Sequence, residues 1–240
     1  MKPLLLFVRS SLGLKVIMGA TGAALFLFVI GHLVGNLQMF LPKERINAYG
    51  HLLHSNAAVL WTVRLGLLAV VGLHLWAAIS LSLRNKAARP ASYGAGTTPY
   101  AASWASRHML MTGLVVAAFV VYHLLHFTVQ APAVNLLPAT SPAKDFTQLV
   151  VEHGPQKGYR DVHAMLVAGF RQPIVTVFYL VAVGLLSLHL SHGASAMFQS
   201  LGWMEGAWRQ RLERIAQGLA IAIFAGYAAI PAAVYLRLIS

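Results

Sequence analysis

Five apolar runs, at about 16–40, 57–83, 108–129, 173–198 and 215–236, alternate along the chain with short polar segments. The hydrocarbon core of a bilayer is roughly 30 Å thick, and a helix needs about 20 apolar residues to cross it. Each run meets that length. The pattern therefore predicts an all-α membrane protein, one domain over residues 1–240 with five transmembrane helices.

The punctuation between runs fits this reading. The first span lies between Lys15 and the Pro42-Lys43-Glu44-Arg45 loop, and the second stops at Arg84-Asn85-Lys86. Gly, Pro, Ser and Thr then crowd residues 89–106, marking a loop. Pro132 and Pro138 end the third span, Pro173 suits the first turn of the fourth, and Pro231 is expected to kink the fifth. Residues 131–172 form the longest polar connection, with Asp145, Glu152 and Asp161 and room for a short surface helix. The opening apolar run from Pro3 to Val8 is too short for a signal-peptide core and no small-residue cleavage site follows, so the N-terminus is expected to be retained.

Composition sharpens the picture. The chain is 58% hydrophobic and 10% charged, far below the charged fraction of about a quarter in soluble domains. It has no cysteine, which excludes disulfides and any thiolate-held iron–sulfur cluster or zinc site within it. The net charge of +12 does not point to nucleic acid, because the charges sit in loops between apolar spans. Pooling loops by side gives 10 Lys and Arg on the N-terminal side and 8 on the other. The compact clusters Arg84/Lys86/Arg89 and Arg209/Arg211/Arg214 place the N-terminus in the cytoplasm under the positive-inside rule.

The candidate chemistry is histidine. An ionisable side chain inside a bilayer is costly enough to be a functional hypothesis by default. Four spans carry one: His32, His74, His123 with His126, and His189 with His192, while the fifth carries none. At 1.5 Å of rise per residue, His32 lies roughly 25 Å beyond Lys15 and His123 roughly 24 Å beyond Arg107. His74 and His189 each lie roughly 15 Å from the nearest cytoplasmic marker, Arg84 and Gln199. Two levels with two histidines each are what bis-imidazole ligation of two stacked haems requires. The expected pairs are His32 with His123 and His74 with His189, and the first four helices would form the bundle that holds both haems. His126 and His192 share a helix face with their neighbours and are the alternative ligands. Hydrogen bonding across helices, without metal, is the bland alternative for each histidine.

Other residues are weaker candidates. Arg107, His108, Arg64 and Arg171 sit at span edges where haem propionates would emerge, although interfacial arginines also serve as plain anchors. No haem ligation is expected from His108, His153 or His163, and His51 and His54 lie at a membrane edge where a solvated histidine is unremarkable.

Two stretches carry a family resemblance. Ser10-Ser11-Leu12-Gly13-Leu14-Lys15-Val16-Ile17-Met18 leads to Gly31-His32-Leu33-Val34-Gly35-Asn36, and His189-Leu190-Ser191-His192-Gly193 leads to Phe198-Gln199-Ser200-Leu201-Gly202-Trp203. With these the chain resembles the cytochrome b membrane-anchor subunit of succinate:quinone oxidoreductases (succinate dehydrogenase and fumarate reductase), of the single-polypeptide, five-helix, two-haem type. The resemblance implies two haem b groups, the distal one on His32 and His123 and the proximal one on His74 and His189. It further implies flavoprotein and iron–sulfur subunits on the cytoplasmic face of a bacterial cytoplasmic membrane, and reduction of a quinone such as menaquinone. Glu44, His51, His54 and His163 are candidates to supply protons near the distal haem, and Arg9 and Ser10 to hydrogen-bond a quinone carbonyl near the proximal one. The long 131–172 segment does not align with the family pattern. The competing readings are the haem b subunit of a formate dehydrogenase or hydrogenase, and a haem-free proton-coupled transporter.

Overall fold

The structure, a computed structural model, describes residues 2–88, 108–200 and 207–240. It is 79% helical, and the described residues contain no strand, only an isolated antiparallel bridge between Val150 and Arg160. The long helices are α2 (Ser11–Asn36), α4 (Ala57–Ala87), α5 (Met109–His123), α7 (Pro173–Ser200) and α8 (Ala207–Tyr235), with shorter α1 (Lys2–Arg9), α3 (Lys43–His54) and α6 (Val162–Phe170). Five segments are long and apolar enough to cross a bilayer: Ser11–Phe40, Ala57–Ala87, Met109–Thr128, Pro173–Gln199 and Trp208–Tyr235. This is the predicted all-α membrane protein. Leu27, Leu65, Ile174 and Ile221 are all more than half exposed, a distribution that suits lipid as solvent rather than water.

The chain divides into two compact units, each taking part of every long helix. The first comprises Met1–Val29, Val63–Gly113 and Leu188–Ala220. Its core gathers Leu14, Ala77 and Leu81, with Ile17 and Met18 packed against them. The Ser10 hydroxyl caps α2, accepting from the Gly13 N–H at 2.9 Å while donating to the Phe7 carbonyl at 2.7 Å. A Cβ on Gly13 would overlap the Phe7 carbonyl, so this tight turn between α1 and α2 requires glycine.

The second unit comprises Ile30–Thr62, Leu114–Ser187 and Ile221–Ser240. Its core includes Met39, Ile46, Phe119, Phe170, Val175 and Tyr179. Helix α3 was not evident from hydropathy. Pro42 precedes it in an extended conformation, Glu44 stands in its first turn, and its last turn holds His51 and His54. Asn56 then caps α4 through the Val59 N–H at 3.1 Å.

The 131–172 segment is built by side chains that satisfy its backbone. Lys144 donates to Asn135 Oδ1 and the Leu137 carbonyl, while Asn135 donates back to the Lys144 carbonyl. Gly154 and Gly158, with φ of 87° and 86°, turn the chain between Val150 and Arg160. The expected short helix is α6, but it is no surface helix: Met165, Leu166, Val167 and Phe170 are all buried. Asp161 caps it through Ala164 N–H, and the buried Asn47 of α3 donates to Asp161 and accepts from the His163 N–H. That network places α6 against α3.

Two spans differ at their ends from the hydropathy pattern. The fifth helix already includes Ala207, ahead of the expected start near 215, because a helix continues through charged residues that a hydropathy window rejects; Arg209 and Glu213 pair at 3.1 Å one turn apart. In the third span the α-helix ends at His123 and a π-helical turn, Leu124–Thr128, follows. It stops at Gln130, whose φ of 59° is left-handed.

Candidate functional site

In the first unit, His74 of α4 faces His189 of α7, with ring centroids 6.5 Å apart and planes at 75°. In the second, His32 of α2 faces His123 of α5, with centroids 5.8 Å apart and planes at 83°. The helices thus bring together the two pairs expected from the sequence. Two imidazoles on opposite sides of one metal, each nitrogen about 2 Å from it, have ring centroids roughly 6 Å apart. Both pairs match that separation.

Hydrogen bonds fix which ring nitrogen is open in the first pair. Thr21 Oγ1 lies 3.1 Å from His74 Nδ1, and Thr112 Oγ1 lies 3.4 Å from His189 Nδ1. Each threonine hydroxyl already donates its one proton to a carbonyl of its own helix, Thr21 to Ile17 at 2.6 Å and Thr112 to Met109 at 3.1 Å. With their protons on those carbonyls the oxygens accept, which corresponds to the tautomer with the hydrogen on Nδ1 in both rings. The Nε2 lone pairs are left open, the arrangement usual for a ligating histidine whose second nitrogen is held by an acceptor. Glycine makes room beside each ring: a Cβ at Gly22 would stand 3.4 Å from His74 Cε1, and one at Gly113 only 3.1 Å from His189 Cε1.

The second pair is held differently. Tyr179 of α7 places its hydroxyl 3.3 Å from His123 Nδ1 and 3.1 Å from His126 Nδ1. Its phenol has one proton and serves one nitrogen as donor and the other as acceptor. If His123 offers Nε2 to a metal, its Nδ1–H donates to Tyr179, which donates in turn to His126. His126 then carries its hydrogen on Nε2, an atom that is buried and unpartnered. His126 is fully buried and stacks on Phe127 at 3.9 Å, and the ring that meets His32 is that of His123.

The donor set can be compared with what a bare metal ion and a haem each require. Structural zinc takes four protein ligands, whereas among the described residues no three His, Cys, Asp or Glu side chains gather as a metal site. A haem iron brings its four in-plane nitrogens and asks the protein for axial ligands alone. Two opposed imidazoles, with glycine in place of a side chain beside two of the rings, fit that group.

The weaker candidates scatter. Arg107 lies outside the described residues. His108 precedes α5, where its carbonyl accepts from the Thr112 N–H, and Arg64 lies within α4. The Ser10 hydroxyl is engaged as a helix cap, and Arg9 is exposed at the end of α1. His51 stacks on Tyr159 at 3.7 Å, His54 Nδ1 bonds the Gly50 carbonyl at 2.8 Å, and His153 is exposed. His163 lines a cleft of about 330 Å³ with Lys43, Asp161 and Arg171. Burial lowers its pKa, with Lys43 acting in the same direction and Asp161 and Glu44 opposing.

Sequence reasoning missed Thr21, Thr112 and Tyr179. A signal for the threonines exists: Met-x-x-Thr-Gly occurs at Met18–Gly22 and at Met109–Gly113, and in both places a histidine follows the threonine by eleven residues, His32 and His123. Two helices thus carry the same register of one threonine, one glycine and one histidine. Comparison of the chain with family models, with curated proteins and with solved structures finds no match.

Proposed function

We propose that this chain is the two-haem cytochrome b membrane anchor of a succinate:quinone oxidoreductase. The observation that carries the haem assignment is the pair of opposed histidine couples at 5.8 and 6.5 Å. The choice among haem-bearing anchors rests on the motifs around His32 and His189.

In this reading His32 with His123, and His74 with His189, supply the axial nitrogens. Bound haem would supply one-electron transfer, which a chain without cysteine or other redox side chains of that type needs for the task. Thr21, Thr112 and Tyr179 hold the tautomer that leaves the lone pairs of His74, His189 and His123 open. The apolar spans keep bulk water from the rings. The protein sits in a bacterial cytoplasmic membrane with its N-terminus in the cytoplasm, in keeping with its clustered basic residues. Its partners are a flavoprotein and an iron–sulfur subunit on the cytoplasmic face, and a membrane quinone such as menaquinone accepts the electrons. His163, beside Lys43 and Arg171 in a polar cleft, is a proton donor on the quinone side.

The test is to solubilise the membranes, purify the chain with whatever stays bound, and add succinate. Reduction of b-type absorption by succinate, followed by reoxidation with a quinone analogue, is the expected result. Haem that responds to formate or hydrogen and not to succinate would assign the chain to another respiratory dehydrogenase.

A further inference from the structure

Threonine inside a membrane helix often does nothing more than return its hydroxyl to a carbonyl of the preceding turn. Thr21 and Thr112 both do this, yet each also meets a histidine from another helix, His74 at 3.1 Å and His189 at 3.4 Å. Both threonines are buried, at 9% and 7% exposure, so neither contact is shared with bulk solvent. The glycine after each threonine lies against the same ring that the threonine touches. The pair of residues recurs at identical spacing on two helices, each time eleven residues before a histidine of the other couple. Helix packing alone would account for one such threonine. It gives no reason for a matched pair, one per ring, on both sides of one histidine couple.

We propose that Thr21 and Thr112 are positioning residues that lock His74 and His189 in the Nδ1–H tautomer and lower the reduction potential of the iron these two rings hold. This rests on the haem reading given above. An acceptor on Nδ1–H makes the imidazole a stronger electron donor through Nε2, which favours the oxidised metal. In the His32/His123 couple the group that meets His123 Nδ1 is the Tyr179 phenol. Thr21 and Thr112 meet the rings of the His74/His189 couple and Tyr179 meets His123, so the threonines are expected to act on the first iron site. Thr21, with the shorter contact, has the larger effect.

The test uses the intact complex with Thr21→Val, Thr112→Val and the corresponding serine variants. The readouts are haem content, the midpoint potential of each haem and the low-spin ferric resonance signals. The haem lost in His74→Ala marks the site concerned. The valine variants should shift that haem's potential upward and alter its resonance signal, more for Thr21 than for Thr112, with the other haem unmoved and serine restoring the original values. Selective loss of that haem in Thr21→Val, with the other haem kept and the helical circular dichroism intact, also supports the assignment when serine restores it. Both haems with unchanged potentials in both valine variants would overturn it and leave the haem reading standing. Equal loss of both haems would also overturn it, since the threonines would then serve general packing. Wild-type protein with no haem would sink this proposal together with the reading beneath it.

Discussion

The phenol oxygen of Tyr179 lies 3.1 Å from Nδ1 of the fully buried His126. Because the same oxygen lies 3.3 Å from His123 Nδ1, one hydroxyl satisfies a nitrogen on each of two rings. Tyr179→Phe keeps the aromatic ring in the core and removes only this oxygen, leaving two ring nitrogens without their partner. Leaving a buried polar group unsatisfied costs about 1–3 kcal/mol. The expected outcome is a lower thermal midpoint for Tyr179→Phe in detergent, with Phe178, on the preceding position of α7 and 42% exposed, giving a smaller change when replaced by leucine. Equal midpoints for wild type and Tyr179→Phe would remove Tyr179 from this role.

Gly22 and Gly113 differ in how much space they leave. A methyl at Gly113 would sit 3.1 Å from His189 Cε1, whereas one at Gly22 would sit 3.4 Å from His74 Cε1, an ordinary contact. Gly113→Ala is therefore expected to push the His189 ring out of line and to reduce haem content by up to half. Gly22→Ala is expected to retain it. A pyridine haemochrome assay on the two variants separates these outcomes, and full haem in Gly113→Ala would show that the ring yields without cost.

The spans were legible because a bilayer imposes one coarse rule, length of apolar run, and the histidines stood out as polar exceptions to it. The partners of those histidines were not. Thr21 and Thr112 look like ordinary polar residues in a helix until the fold sets them against rings 53 and 77 positions away in sequence. Tyr179 passes for an interior aromatic in the same way. Helix α3 was hidden because its sequence, Lys43 to His54, is neither apolar enough for a span nor periodic enough to read as amphipathic. Helix α6 was expected on the surface because its surroundings are polar, but Asn47 and Asp161 draw it inward.

His163 should titrate below an ordinary histidine. Burial is the main cause, Lys43 adds to it, and Asp161 and Glu44 oppose it. A lowered folded-state pKa means that the unfolded chain binds the proton more readily, so the contribution to stability is fully present above the unfolded value of about 6.5 and is lost as pH falls through the folded-state value. Thermal unfolding between pH 8 and pH 5 should therefore show a smaller fall for His163→Gln than for wild type. Parallel pH profiles for the two proteins would mean that His163 has no part in the acid response.

The central claim is that the facing couples His32/His123 and His74/His189 are haem ligands. The direct measurement is a reduced-minus-oxidised spectrum of the purified protein with a pyridine haemochrome count per polypeptide. The account predicts two b-type haems per chain, falling to one when His74 is replaced by alanine. Folded protein that carries no haem would contradict it.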